Sequence, residues 1–298
     1  MGDVEVTVFG GTGFLGRGIV ARLAAAGTRV RVAVRHTTEG IPPQGGDIEV
    51  VYADVRDGET VAQAVRDSDA VVNAVGLYVE RGEATFQAVH IDGAQEVARA
   101  AREAGIGCLV HISGIGADVN SESSYVRSRA VGERAVRETC PGAIILRPSV
   151  LFGRGDALFR SVAAITRISP VFPLFGDGST RLQPVFVGDV AEAVVKAIRP
   201  PSTRGKVYEL GGPRVYHYRE LVELVLAHLK RRRVLVPVPF FVWEIQATLL
   251  GVLPNPPLTR DQVILMRKDN VVSDTALTFA DLCITPRSVE VELPSLTA

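Results

Sequence analysis

Glycines crowd the stretch VTVFGGTGFLGRGIV, residues 6–20, and Gly10, Gly13 and Gly16 recur there at intervals of three. Glycine costs stability inside regular structure, so its use between an apolar strand and an apolar helical pattern demands a reason. A turn that must come close to a bound group supplies one. Gly10 permits the tight turn, Gly13 lets the backbone approach a pyrophosphate, and Gly16 lets the helix pack on the strand. The helix N-terminus then offers free N–H groups and the positive end of its dipole to phosphate. Thr12, Phe14, Leu15 and Arg17 complete the turn and the first helical turn, and join the glycines as candidate coenzyme contacts.

The end of the second strand selects the coenzyme. An acid there would bond both ribose hydroxyls of NAD. This chain has Arg35 followed by His36 instead, with Arg17 just beyond Gly16. A guanidinium clamps a 2′-phosphate with two parallel bonds, so NADP(H) is expected over NAD(H). Asp54 and Val55 close the third strand, where a carboxylate receives an adenine amino group. Asn73–Gly76, reading NAVG, closes the fourth, and its small residues Ala74, Val75 and Gly76 let the adenosine half lie flat.

These residues need a scaffold that brings strand ends to one edge. Apolar, β-branched runs at 4–9, 29–34, 48–52, 70–74, 108–112 and 143–146 read as buried strands. Helical patterns fall between them at 14–26, from a cap at Asp57 to about 66, at 84–104 and at 125–138. The loop after the second strand holds IPPQGGD. Alternation of this kind predicts an α/β fold, a doubly wound parallel sheet of the Rossmann type. Beyond Val150 the rhythm breaks and Gly and Pro become frequent. The expected organisation is a dinucleotide-binding domain over 1–150, with a return helix near 187–199, and a smaller mixed lobe over 151–298.

With 33 basic and 33 acidic side chains the formal charge is zero, so no global field draws nucleic acid to the protein. Cys108, Cys140 and Cys283 are few, odd in number and far apart, which fits a reducing compartment and neither a disulfide frame nor structural zinc. No HExxH occurs, and no metal is expected. Acids at Asp3 and Glu5 precede the first strand without the layout of a signal peptide. The most apolar stretch, 234–253, is interrupted by Pro237, Pro239, Glu244 and Gln246. The expected location is cytoplasmic, with a peripheral position on the inner face of the cytoplasmic membrane as an option.

The order GxxGxxG, Asp54-Val55, NAVG, Ser113, Tyr125 and Arg147-Pro148 resembles the extended and atypical short-chain dehydrogenase/reductase superfamily. VFGGTGFLGR, YVRSRAVGERAVRE, PGAIILRPSVLFGRGD, QPVFVGDVAEAV and LTRDQVILM together resemble a narrower group. That group is the NADPH-binding accessory subunits of respiratory complex I with their bacterial relatives. The resemblance implies tightly held NADPH, a seat beside the membrane arm and no established turnover; it extends to proteins implicated in ubiquinone synthesis. It also implies that Pro148 and Val150, after the sixth strand, face the nicotinamide end.

In active members of the superfamily a Ser bonds the substrate oxygen, a Tyr moves the proton and a Lys lowers the Tyr pKa and holds the nicotinamide ribose. The corresponding residues here are Ser113, Tyr125 and, one turn on, Arg129. A guanidinium is a planar fork that keeps its proton, so the relay and ribose contact are displaced. Tyr78 is an alternative acid or a pocket-lining residue. Two functions follow. One is an accessory or assembly subunit of NADH:quinone oxidoreductase with NADPH in a structural role. The other is an oxidoreductase or epimerase-like enzyme for a quinone precursor, isoprenoid or sugar nucleotide, using Ser113, Tyr125 and Arg129. Finally, Lys230–Arg233 precede Phe240, Phe241 and Trp243, an arrangement suited to an anionic membrane surface, to a partner protein, or to a core helix of the lobe.

Overall fold

The strand Glu5–Phe9 (β1) is buried along nearly its whole length, and Gly10 turns the chain directly into the helix Phe14–Ala25 (α1). The computed structural model describes residues 4–36, 48–251, 253 and 256–296. The IPPQGGD loop, residue 252 of the apolar stretch and residues 254 and 255 just after it lie outside the described residues.

Strands Arg29–Val34 (β2), Ile48–Tyr52 (β3), Ala70–Asn73 (β4), Leu109–Ile112 (β5) and Ile144–Pro148 (β6) alternate with helices Gly58–Ala64 (α2), Gly93–Glu103 (α3) and Ser124–Thr139 (α4). Their ends fall close to expectation with one exception. The pattern read as a helix over 84–104 begins instead with a wide π-helical segment, Gln87–Asp92, before α3. Gly93 lies at that junction, where a Cβ would meet Val55 Cγ2 at 2.8 Å. The wider turn accommodates this close approach and brings the His90 ring under the Leu77 amide.

Past β6 the chain forms β7 (Leu151–Phe152), α5 (Ala157–Ile168), β8 (Val171–Phe175), β9 (Arg181–Leu182), β10 (Val185–Phe186) and α6 (Val187–Ile198). It then forms β11 (Val207–Leu210), β12 (Tyr216–His217), α7 (Tyr218–His228), β13 (Val234–Val238), α8 (Phe240–Leu250), α9 (Arg260–Leu265) and α10 (Val289–Leu296). The main sheet has seven parallel strands in the order β11-β6-β5-β4-β1-β2-β3. β11 is therefore a sheet strand contributed by the later part of the chain. Its pairing with β6, Val207 opposite Ile145, is supplied by a partner about sixty residues earlier.

Apolar side chains cover both faces of the sheet. α1 and α6 enclose one core with Val8, Val32, Val110 and Leu146, joined by Phe279 and Leu282 from near the C-terminus. α2, α3 and α4 enclose the other with Phe9, Val71, Leu109 and Ile145. A third core, around Phe152, Phe172, Leu174, Tyr216 and Val225, belongs to the later segments. Arg147 ties these parts together. Its guanidinium forks onto buried Glu133 of α4 at 2.7 and 2.9 Å and reaches Glu209 of β11 at 3.4 Å.

Candidate functional site

The turn after β1 is a cradle. Gly10 has φ +77°, and a Cβ there would lie 2.7–2.9 Å from the backbone of Ala74 and Val75. The turn thus touches the NAVG segment at the end of β4, and only a residue without a side chain permits it. The Gly13 amide donates to the Gly10 carbonyl at 3.0 Å, and a Cβ at Gly16 would run into that same carbonyl. Gly13 caps α1 without a side-chain bond, and no acid stands in the first turn. The first intrahelical bond runs from Arg17 N to Gly13 O at 3.0 Å, leaving the amides before it for an anion. The Arg17 side chain folds back to donate to the Thr12 carbonyl at 3.1 Å. Leu15 is buried beneath the turn, whereas Phe14 remains half exposed beside Gly153.

Arg35 and His36 stand exposed where β2 ends. Asp54, buried at the end of β3, accepts Arg56 Nε at 3.0 and 3.1 Å, Nη2 at 2.7 Å and the Arg56 amide at 3.0 Å. That fork holds its carboxyl below the ordinary value; burial opposes the shift and Arg35 adds to it. Val55 is buried next to it. Asn73 Oδ1 accepts the Val75 amide at 3.1 Å and so fixes the small-residue run.

The other half of the site assembles on α4. Tyr125 stacks on Tyr78 with ring centroids 5.1 Å apart, and His90 and Phe86 meet it edge-on at 5.6 and 6.0 Å. The Arg129 guanidinium lies 5.7 Å from the Tyr125 ring centre. Arg129 Nη1 donates to the Ile112 carbonyl at 2.9 Å, and Nη2 lies 2.8 Å from where a Cβ on Gly76 would stand. Gly76 thus makes room for the arginine. Ser113 follows Ile112, its amide held by Leu146 O at 2.8 Å. Ser113 Oγ and Arg129 Nε are both buried without a partner.

Sequence reasoning missed two histidines here. His90 Nε2 accepts the Leu77 amide at 3.0 Å, so its Nδ1 carries the proton and donates to Ser128 Oγ at 2.8 Å. Ser128 Oγ in turn donates to the Tyr125 carbonyl at 2.8 Å. Burial, with Arg129 and His111 adding to it, pushes His90 down to about 3. Burial and Arg129 do the same to His111, whose Nδ1 is also unpartnered. Both are therefore neutral at physiological pH. His111 had one visible sign, a lone imidazole in an otherwise apolar strand; His90 had none, being one polar residue in a helical pattern.

Pro148 lies in β6, where its carbonyl accepts the Ile115 amide at 3.1 Å. Val150 packs against the core of the later segments, and its carbonyl accepts the Val185 amide at 2.9 Å.

An NAD(P) coenzyme fits these residues. The glycine turn is a cradle that a Cβ would fill, and the orphaned Ser113 hydroxyl and Arg129 Nε are polar groups that burial penalises until a ligand meets them. The α1 amides would hold the pyrophosphate, Ala74 and Val75 the adenosine half, and Arg129 with Tyr125 the far end, Gly76 being taken up by the Arg129 guanidinium. Bound there, the coenzyme would supply hydride chemistry; the chain itself supplies the neutral imidazoles of His90 and His111, the fixed Arg129 cation and the stacked phenols of Tyr78 and Tyr125.

A doubly wound parallel sheet with a glycine turn at the head of its first helix defines an NAD(P)-binding α/β protein. The chain belongs to the NAD dependent epimerase/dehydratase family, whose model matches residues 6–211. It is 33% identical over 296 residues to the mitochondrial NADH dehydrogenase (ubiquinone) 1 alpha subcomplex subunit 9 of Mus musculus, covering 97% of this chain and 78% of that one. It is 34% identical over 198 residues to the ceramide reductase of Caulobacter vibrioides, covering 66% and 61%. Among solved structures, a nucleoside-diphosphate-sugar epimerase from Staphylococcus aureus superposes with a TM-score of 0.77 at 18% identity, covering 96% and 98%. The sequence motifs thus pointed to the right family and fold.

Proposed function

We propose that this protein is an accessory or assembly subunit of NADH:quinone oxidoreductase that holds NADP(H) chiefly as a structural ligand. Similarity along nearly the whole chain to a complex I subunit supports the assembly. One observation carries the structural role: the guanidinium of Arg129 is pinned between the Ile112 carbonyl and Gly76. Held there, Arg129 braces the pocket and keeps its proton. A ligand bound only by the native state stabilises it by mass action, about 2.7 kcal/mol at a hundredfold excess over its dissociation constant.

Arg35, exposed at the end of β2, supports NADP(H) over NAD(H). α8 supports a peripheral seat. Trp243 is anchored through its Nε1 to the Leu174 carbonyl at 3.2 Å and packs on Phe175. Phe241, Ile245 and Leu249 form an exposed apolar row at spacing of four, each more than half exposed. Arg231 and Arg233 donate to the Ala163 and Thr166 carbonyls of α5, while Lys230 and Arg232 are exposed. Among the described residues no helix is long and apolar enough to cross a membrane, so any such contact lies at the surface or on a partner.

Purification from the native membrane, with identification of the bound nucleotide and the co-purifying chains, tests this reading. NADP(H) together with complex I subunits is the expected result; a free protein that exchanges nucleotide rapidly overturns it. Arg35→Ala is expected to weaken NADPH binding by about tenfold or more while leaving NADH within about twofold, as befits the loss of a charge-assisted bond. Flotation with anionic vesicles at low salt tests the membrane seat.

The second reading, an NAD(P)-dependent oxidoreductase or epimerase-like enzyme for a quinone precursor, isoprenoid or sugar nucleotide, is favoured by the buried, unpartnered Ser113 hydroxyl, one residue after the Ile112 carbonyl that Arg129 holds. Steady NADPH oxidation with a panel of carbonyls and quinones, abolished by Tyr125→Phe, would establish it.

A further inference from the structure

The helix that carries Tyr125 and Arg129 has no acid in its first turn, yet a carboxylate sits at its N-terminus. It comes from Asp261, in the first turn of α9. Asp261 Oδ1 accepts the hydroxyl of Ser123 and, at 3.4 Å, the amide of Tyr125. Ser123 is the N-cap of α4, fully buried, and its oxygen accepts the Val126 amide at 3.3 Å. One carboxylate oxygen therefore fixes the rotamer of the cap and takes one of the amides that the helix itself cannot satisfy. Its charge also opposes the positive end of the helix dipole.

Asp261 is held for this task. Thr259 and Gln262 form a reciprocal capping box, with Thr259 Oγ1 accepting the Gln262 amide at 3.2 Å and Gln262 Oε1 accepting the Thr259 amide at 2.9 Å. Arg267, at the other end of the segment, pairs with Glu244 of α8 at 2.8 Å and lies over the Phe240 ring. A few residues on, Asn270 Oδ1 accepts Ser149 Oγ at 2.6 Å and its Nδ2 donates to the Ile115 carbonyl at 3.4 Å, two residues from Ser113. Residues 259–270 thus make a strap across the site, fastened at the start of α4 and at the loop after β5.

We infer that Asp261 is a positioning residue for the nicotinamide half of the pocket, acting through the Ser123 cap to fix the first turn of α4 and with it Tyr125. The ligand arm of its test rests on the coenzyme reading above; the exchange arm does not. In the full chain, Asp261→Ala is expected to weaken NADPH binding about fivefold or more, because the Ser123 cap loses its buttress and the turn carrying Tyr125 loosens by an amount comparable to a cap's contribution. Binding of 2′,5′-ADP, which has no nicotinamide, stays within about twofold. Amide hydrogen exchange over residues 124–128 accelerates about fivefold, with peptides from β1, α1 and β2 unchanged. Asp261→Asn, whose amide oxygen can accept the same two bonds, restores most of both effects. Should Asp261→Ala fail to fold, Ser123→Ala removes the relay from the other side and is expected to give the same local exchange signature. Unchanged exchange over 124–128, or equal losses for NADPH and 2′,5′-ADP, overturns the inference. Failure of the unaltered protein to bind either nucleotide overturns the coenzyme reading instead, and the exchange comparison then decides the role of Asp261.

Discussion

Gly10→Ala adds one methyl group at the point where two parts of the cradle meet. The residue has φ +77°, a conformation that costs an L-residue about 1–2 kcal/mol. The new Cβ would stand 2.7 Å from Ala74 O, 2.8 Å from Ala74 C and 2.9 Å from Val75 N, where ordinary contact begins near 3.4 Å. These are backbone atoms at the end of a buried strand, so no side-chain rotation relieves the overlap, and overpacking of this kind costs about 1–3 kcal/mol. The total, about 2–5 kcal/mol, corresponds to a fall in melting temperature of roughly 4–20 °C at about 2–4 °C per kcal/mol for a large domain. On the proposed coenzyme placement, the displaced peptides would face the adenosine half, and NADPH affinity is expected to fall with stability. Gly18→Ala is the control. Gly18 lies in α1, the helix that follows the turn, and its Cβ would find Ala191 Cβ at 3.6 Å and Val187 Cγ2 at 3.8 Å, both ordinary contacts. Removing a helical glycine there stabilises by about 1 kcal/mol and raises the melting temperature about 2–4 °C. Thermal melts with and without NADPH read both variants. If Gly10→Ala melts with the unaltered protein and binds as tightly, or Gly18→Ala costs as much as Gly10→Ala, the close-approach reasoning is wrong.

Acid sensitivity follows from the buried imidazoles. His111 is pushed down to about 3 when folded, against 6.5 for the free group, so below pH 6.5 the unfolded chain binds the proton that the folded chain refuses. Stability is unaffected above that value and declines as pH falls toward 3, by about 1 kcal/mol between pH 6 and 5 for each such group; His90 behaves in the same way. His111→Leu is expected to remove about half of this decline in urea unfolding at pH 7, 6 and 5, and an unchanged slope contradicts the assignment. Arg147→Ala leaves the carboxylate of Glu133, 5% exposed, buried without its cation. The expected loss is about 3–5 kcal/mol by denaturant unfolding, and Glu133→Gln in the same chain recovers a good part of it.

The N-terminal half was legible because its signals are local. The β1 turn, α1 and β2 each announce themselves within a few residues: glycines where the backbone needs positive φ or close approach, apolar runs of strand length, a helical stripe ending at Gly27. Tyr125 and Arg129 could be paired from spacing alone, since four residues is one helical turn. What spacing could not supply was the geometry that decides their chemistry. Gly76 reads as a small residue for adenosine to rest on; in the fold it makes room for the guanidinium of Arg129.

The later half hid its role because its partners are far away in sequence. β11 is four residues long, VYEL, amid Gly and Pro, and becomes a strand only because β6 offers an unpaired edge and Glu209 meets Arg147 there. Asp261 falls within LTRDQVILM, which marks the segment by resemblance and not the role, and Asn270 lies beyond it; their partners at Ser123 and Ser149 lie 138 and 121 residues earlier. Such contacts are long-range closures whose entropic cost rises only slowly with loop length, so evolution can place a determinant of the pocket almost anywhere downstream. In this protein the first half builds the cradle and the second half sets the helix that completes it. A substitution in the segment after α8 therefore belongs among candidates for altered coenzyme binding, although no residue beside it shows which distant helix it meets.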